Sequence, residues 1–197
     1  MTQNTTLDTI ITRRSIRDFK EGDVSKEDLQ TILQAAIMAP SAGNGQPWKF
    51  HVIRGKTKQA FADALRKSAS VPESWRPLLV TMANTVPVII AVENPTVSWH
   101  GLSAFKAHFN LETAQLAVVG SLLGTAASIE NMLLAIHSLG YGSVWMALPS
   151  VLEAAKKATG VSGELCGVLP VGRPADEQNN YVDRTRNSVE QVTKFYE

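Results

Sequence analysis

This sequence is poor in the features that mark several common protein classes. It has a single cysteine, Cys166, so an intrachain disulfide is excluded, and no cluster of Cys and His has zinc-site spacing. The formal net charge is only +1, so no overall field favours nucleic acid or an anionic membrane. Any anion site must therefore be local. The first nine residues lack the apolar run of a secretion signal, so we expect a reducing, cytoplasmic location.

The composition indicates one compact domain. The 197 residues are 44% hydrophobic and 19% charged, which is enough apolar material for a real core, and we expect a single domain over residues 1–197. Cys166 stands in the apolar run Leu165–Val171, where it reads as a buried small hydrophobe rather than a nucleophile.

Hydrophobic periodicity predicts alternating helices and strands. Helices are predicted at Leu7–Arg14, Ser25–Pro40, Lys56–Ser68, Leu111–Leu139 and Leu152–Thr159. Strands are predicted at Trp48–Arg54, Pro87–Glu93, Tyr141–Ala147 and Leu165–Val171. Val71–Ala83 is poorly determined by its pattern. Asn94–Asn110 carries aromatics without clean periodicity, which fits either a mobile cover over a substrate pocket or an ordinary surface loop.

The longest helical pattern, Leu111–Leu139, contains Gly120 and Gly124 one turn apart. Its polar residues argue against a membrane span. We expect a helix buried all round, whose small residues allow another helix to approach closely, for example from a second copy of the chain.

Two polar segments are candidates for ligand binding. The loop Pro40–Phe50 has two prolines and two glycines, with small polar side chains between them, which suits close approach to something flat or polar. The cationic run Arg13–Phe19 is either a solvated turn paired with nearby acids, or a set in which Arg13, Ser15 and Arg17 converge on a phosphate or carboxylate.

The sequence lacks the motifs of dinucleotide-binding folds, phosphate-binding loops and Ser/His/Asp hydrolases. Gly43-x-Gly45 and Gly140-x-Gly142 each follow a helix and lack a third glycine, whereas a dinucleotide fingerprint must follow a strand. No phosphate-binding G-x-x-x-x-G-K-[ST] occurs, and no Ser/His/Asp order is suggested.

Several separated motifs together resemble the FMN-dependent nitroreductase family. They are R-x-S-x-R from Arg13, PS-x-x-N-x-QPW from Pro40, LG-x-G-S-x-W from Leu139, VGRP from Val171 and R-x-R from Arg184. The resemblance implies an α+β fold, with a central, mostly antiparallel four-stranded sheet flanked by helices. It also implies an intertwined homodimer with FMN at its interface, and a fifth edge strand from the partner's C-terminal tail.

The resemblance also implies which residues hold the cofactor. The implied FMN-binding residues are Arg13, Arg14, Ser15, Arg17, Pro40, Ser41, Ala42, Asn44, Trp145, Met146, Ala147, Arg184 and Arg186. Arg17 would stabilise the reduced ring electrostatically, a main-chain N–H beside Trp145 would reach N5, and Arg184 and Arg186 would complete a phosphate clamp. The arginine cluster would come from one subunit and Ser41–Asn44 from the other.

The implied activity is ping-pong hydride transfer from NAD(P)H through FMN to small acceptors such as nitroaromatics, quinones or activated alkenes. No general acid is obvious. A flavin-binding protein without turnover and a specialised relative (a dehalogenase, azole oxidase or flavin-fragmenting enzyme) remain alternatives. Two departures bear on the choice, because Ala42 stands where many members have Ser, and Ala147 where one branch has Glu.

Overall fold

The computed structural model describes residues 5–95, 111–175 and 185–196, with side chains in the long helix described from residue 118 onward. Helices occupy Thr5–Thr12 (α1), Lys26–Ile37 (α2), Gly55–Lys67 (α3), Arg76–Thr85 (α4), Leu111–Ser138 (α5), Pro149–Thr159 (α6) and Val189–Val192 (α7). Strands occupy Phe19–Lys20 (β1), Lys49–Ile53 (β2), Val88–Asn94 (β3), Glu164–Val171 (β4) and Arg173–Pro174 (β5).

An antiparallel sheet in the order β2-β3-β4 forms the centre of the fold. Lys49 lies opposite Glu93 in one pair and Val88 opposite Val171 in the other. A fourth strand was predicted at Tyr141–Ala147. This segment is not a continuous strand and joins the sheet through two isolated β-bridges, Gly142 to Gly172 and Met146 to Val168. The α+β class with antiparallel strands is therefore confirmed, with three continuous strands in the central sheet of the described residues and a separate pair of β1 and β5.

The two faces of β3 belong to different halves of the core. Val88, Ile90 and Val92 pack with residues of α2 and α5, whereas Ile89 and Ala91 pack with residues of α3, α4 and α6. A strand covered by helices on both faces needs apolar residues at every position rather than alternation, which explains the continuous run read from the sequence.

Within a single chain the long helix α5 is not buried all round, so the expected burial on every side stays a prediction that needs a second copy. Ile129 and Met132 are fully buried, but Val119 is 50% exposed and Leu123 65% exposed. Residues 118–138 have the length and mean hydropathy of a membrane span, yet their inner face packs in the core against α2 and the sheet.

Gly120 and Gly124 also face a different neighbour from the one expected. A Cβ built on Gly124 would lie 3.1 Å from Ser41 Cβ, and one on Gly120 would lie 3.6 Å from Ala42 Cβ. Within the described chain these small residues therefore admit the loop after α2, not a second helix.

Candidate functional site

The cationic segment after α1 lies against the C-terminal half of α5. Arg13 Nε is 3.2 Å from Glu130 Oε1, at ion-pair distance but without hydrogen-bond geometry. The Arg14 guanidinium donates to the carbonyls of Ile11 at 2.6 Å and Arg13 at 3.0 Å. Ser15 is exposed. The segment is thus ordered partly by its own backbone, and Arg13 is held on α5 by a carboxylate.

A small cleft opens beside these arginines. It has a volume of about 10 Å³, the size of one water, and its lining includes Arg13, Arg14, His137 and Ser143. Ser143 Oγ and Arg13 Nε are buried, and neither has a hydrogen-bond partner among the described residues. Buried polar groups are normally satisfied, so the cleft is suited to one ordered water.

His137 contributes no charge to this cleft at neutral pH. Its Nε2 lies 2.9 Å from Thr12 Oγ1, which joins α1 to α5. Burial lowers the pKa of His137, and the neighbouring charges of Arg13 and Arg14 lower it further. The positive charge of the cleft therefore comes from the arginines.

Two motifs that are distant in sequence meet next to the cleft. The Ile16 N–H donates to the Ser143 carbonyl at 2.9 Å. Gly142 allows this approach, since a Cβ there would fall 2.9 Å from three side-chain carbons of Ile16. The arginine segment and the segment 142–147 are consequently neighbours in the fold.

The residues that follow this contact, Arg17 after Ile16 and Val144 after Ser143, border a cavity of about 300 Å³. It is lined by Arg17, Trp75, Leu78, Leu79, Met82, Val144, Trp145, Met146, Ala147 and Leu148. The Arg17 guanidinium donates to the Ser15 carbonyl at 3.2 Å, and the residue is exposed. The cavity is a mainly apolar slot with a cation among its lining residues.

Helix α4 supplies the wall that the sequence reasoning missed. Trp75, Leu78, Leu79 and Met82 follow an i, i+3, i+4, i+7 spacing, the stripe of an amphipathic helix. That signal is present in Val71–Ala83, and Pro77 in the first turn is a further helix-start signal.

The loop after α2 has the unusual backbone predicted at Gly43, whereas Gly45 has an ordinary φ of −68°. Gly43, Asn44 and Gln46 all have positive φ, at 57°, 53° and 45°. Ser41 Oγ accepts the Gln46 N–H at 3.0 Å, and Thr125 Oγ1 of α5 donates to the Pro47 carbonyl at 2.7 Å. The loop is thereby fastened to the middle of α5.

This loop and the arginine segment meet α5 at different places. Gly124 and Glu130 are six residues apart, so their contacts lie about 9 Å apart along the axis and about 120° apart around it. Pro40, Ala42 and Asn44 are exposed, and Ser41 is half-buried. One chain therefore does not bring its loop and its arginines together.

A family comparison decides the assignment. The model of the nitroreductase family matches residues 10–173, most of the chain. This chain belongs to the nitroreductase family.

Individual proteins are similar to this chain over most of its length. A protein of Archaeoglobus fulgidus provisionally named NADH dehydrogenase/NAD(P)H nitroreductase is 29% identical over 178 residues, covering 87% of each chain. A provisionally assigned nitroreductase from Desulfovibrio desulfuricans, solved in complex with FMN, is 26% identical with a TM-score of 0.70, covering 100% of this chain and 99% of its own. A BluB-like flavoprotein from Clostridium difficile is 26% identical with a TM-score of 0.69, covering 97% and 98%.

The structure brings some of the site residues expected from the nitroreductase motifs together and does not bring the others together. It brings Arg17 together with Trp145, Met146 and Ala147 at the cavity. Arg186 is exposed in a segment whose hydrogen bonds, among the described residues, are internal. Arg184 lies outside the described residues, as does most of the cover Asn94–Asn110. The phosphate clamp therefore stays a prediction.

Proposed function

We propose that this protein is an FMN-dependent NAD(P)H oxidoreductase that reduces small acceptors such as nitroaromatics, quinones or activated alkenes. One observation carries the proposal: Arg17 and Trp145–Ala147, which come from two motifs far apart in the sequence, line the same cavity. The FMN complex of the relative from Desulfovibrio desulfuricans supports the choice of cofactor. We also propose that the chain works as one domain over residues 1–197, in the cytoplasm.

The described residues suit this cofactor chemically. Leu78, Met82 and Val144 would offer apolar walls to a flat ring, and Arg17 would supply a positive charge that stabilises the negative charge of a reduced ring. Arg13 and Arg14 offer guanidinium groups to a phosphate, a ligand that guanidinium binds well. When bound, FMN supplies hydride acceptance and donation, and use of one site by reductant and acceptor in turn gives ping-pong kinetics.

We propose that the functional unit is a homodimer with FMN at the interface. The separation of the Ser41 loop from Arg13 along α5 supports this, because a second copy could bring its loop to the first copy's arginines. Apolar side chains left exposed on one chain support it as well: Ile11 is 67% exposed, and Phe195 and Tyr196 are 82% and 83% exposed. We propose that this tail, with Arg184 and Arg186, covers the partner and adds an edge strand to its sheet.

The decisive measurement is the visible absorption spectrum of the purified protein before and after anaerobic NADH or NADPH. We expect a yellow protein, or a colourless one that takes up added FMN, whose flavin bleaches rapidly with at least one nicotinamide. A yellow protein that does not bleach would favour the sensor or carrier. A colourless protein that refuses FMN would refute the proposal. Sedimentation at several concentrations checks the dimer independently.

A flavin-fragmenting activity is a second candidate, because one similar structure is a BluB-like flavoprotein. The two activities differ in the fate of the cofactor. If FMN-loaded protein supplied with reductant and oxygen lost flavin stoichiometrically to a benzimidazole product, as seen by mass spectrometry, fragmentation would be the better description. We expect the flavin to be recovered intact.

A further inference from the structure

An irregularity in β4 lies directly behind the cavity segment. Val92 pairs with Gly167 and Glu93 with Leu165, so Cys166 is an additional residue in β4, a β-bulge. Bulges locally interrupt the ladder and are frequent next to active sites. Burial raises the pKa of the Cys166 thiol, and the neighbouring Glu164 charge raises it further, so the side chain stays a neutral thiol.

The Trp145 indole completes the hydrogen bonding at this bulge. Met146 and Val168 exchange both backbone hydrogen bonds, at 3.1 and 2.8 Å. An antiparallel ladder would next set Leu148 opposite Cys166. The chain instead turns at Leu148 into α6, and the indole N–H of Trp145 donates to the Cys166 carbonyl at 2.9 Å. A side chain thus replaces the missing backbone donor.

The indole has room only because residue 167 has no side chain. A Cβ built on Gly167 would lie 2.5 Å from Nε1 and 2.7 Å from Cδ1 of Trp145, but 3.4 Å from Ile129 Cδ1. The first two distances are far inside van der Waals contact, and the third is ordinary. Alanine at 167 would therefore act on Trp145 alone among its near neighbours.

We propose that Gly167 is a positioning residue for the cofactor site: it forms the socket for the Trp145 indole, and this anchor holds the main chain of Trp145–Ala147 at the cavity. The inference rests on the proposed function, since its consequence is measured on bound FMN. Gly167 does not touch the cavity and acts through Trp145.

The test is a cycle of Gly167→Ala, Trp145→Ala and the double variant, each compared with wild type. Alanine at 145 removes both Nε1 and Cδ1, the atoms that a Cβ at 167 would strike. Gly22→Ala is the matched control, because a Cβ there meets only Arg173 Cγ at 3.4 Å and Cβ at 4.0 Å. Two quantities are measured: the Tm of the FMN-free protein, and the FMN dissociation constant from quenching of flavin fluorescence.

We expect Gly167→Ala to lower Tm by roughly 2 to 12 °C and to weaken FMN binding about tenfold or more. The double variant should bind FMN as well as Trp145→Ala alone, because the alanine at 167 then has no indole to displace. Wild-type FMN affinity in Gly167→Ala, or additive losses in the double variant, would overturn the inference. If Gly167→Ala does not fold, Trp145→Ala alone decides, because unchanged affinity there would equally overturn it.

Failure of the proposed function gives a different pattern. In that case wild type itself would take up no FMN, and the positioning role would fall with it. The Tm cycle would still report whether Gly167 and Trp145 are coupled, so the two failures are distinguishable.

Discussion

Replacing the two glycines of α5 separately by alanine tests which neighbour they serve. Both lie inside the helix, where glycine costs about 1 kcal/mol relative to alanine, so helix propensity favours each substitution equally. The methyl groups added at the two positions would have different neighbours. The methyl group at 120 would lie 3.6 Å from Ala42 Cβ, an ordinary contact. The methyl group at 124 would lie 3.1 Å from Ser41 Cβ and 3.4 Å from Ser41 Cα.

The expected effects therefore have opposite signs. Gly120→Ala should stabilise the protein by about 1 kcal/mol, which raises Tm by about 2 to 4 °C. Gly124→Ala gains the same propensity but overpacks a backbone contact, which costs about 1 to 3 kcal/mol. Its net effect should lie between zero and about 2 kcal/mol of destabilisation, a fall in Tm of up to about 8 °C. The difference between the two variants isolates the overpacking at Ser41.

Thermal unfolding of both FMN-free variants, followed by circular dichroism, measures this difference. An FMN titration adds the functional consequence, because Gly124→Ala should also displace the Ser41 loop and weaken binding. Equal Tm values for the two variants would refute the assignment of Gly124 to the loop. Equal loss of the dimer in both would instead favour the helix-to-helix contact first expected from the sequence.

Three further predictions concern charged groups. Arg17→Ala should keep FMN but slow its reduction by NAD(P)H about five- to thirtyfold, because it removes a partly solvated charge worth about 1 to 2 kcal/mol. Stopped-flow measurement of flavin bleaching tests this, with Lys20→Ala as the control. Bleaching of Arg17→Ala at wild-type speed would remove Arg17 from the mechanism. Arg184→Ala combined with Arg186→Ala should release FMN, and a variant that purifies equally yellow would contradict the phosphate clamp. The pKa of His137 is lower in the folded than in the unfolded chain, so the unfolded state takes up its proton first and stability falls as pH drops below about 6.5. His137→Gln should lose less Tm than wild type between pH 7 and pH 5.5, and parallel losses would argue against this coupling.

The elements with a strong local pattern were predicted close to their observed bounds. Ser25 caps α2 by accepting the Asp28 N–H at 2.9 Å, as its position before an apolar stripe indicated. The continuous apolar run of β3 reflects helices on both faces. Helix α4 was not resolved from its pattern, although its spacing is helical, because Pro72 and the surrounding polar residues weaken the periodic signal.

The motifs named residues that the fold brings together, but the roles of those residues stay predictions. Arg17 and Trp145 were named from separate motifs, and they line one cavity. One chain does not bury α5 on all sides, since a hydrophobic pattern records the composition of a helix face and not which neighbour covers it. Glu130 beside Arg13 and Gly167 beneath Trp145 carry no local sign of their partners.

By itself the sequence determined the family and the longer helices and strands other than α4, because these follow from periodicity and from short motifs along the chain. Only the tertiary structure decided which residues are neighbours. Ile16 reaches Ser143, and the Trp145 indole fills the space above Gly167, through close contacts between distant segments. Such contacts depend on backbone paths that pack to within a fraction of an ångström, and no local pattern of residues encodes that distance.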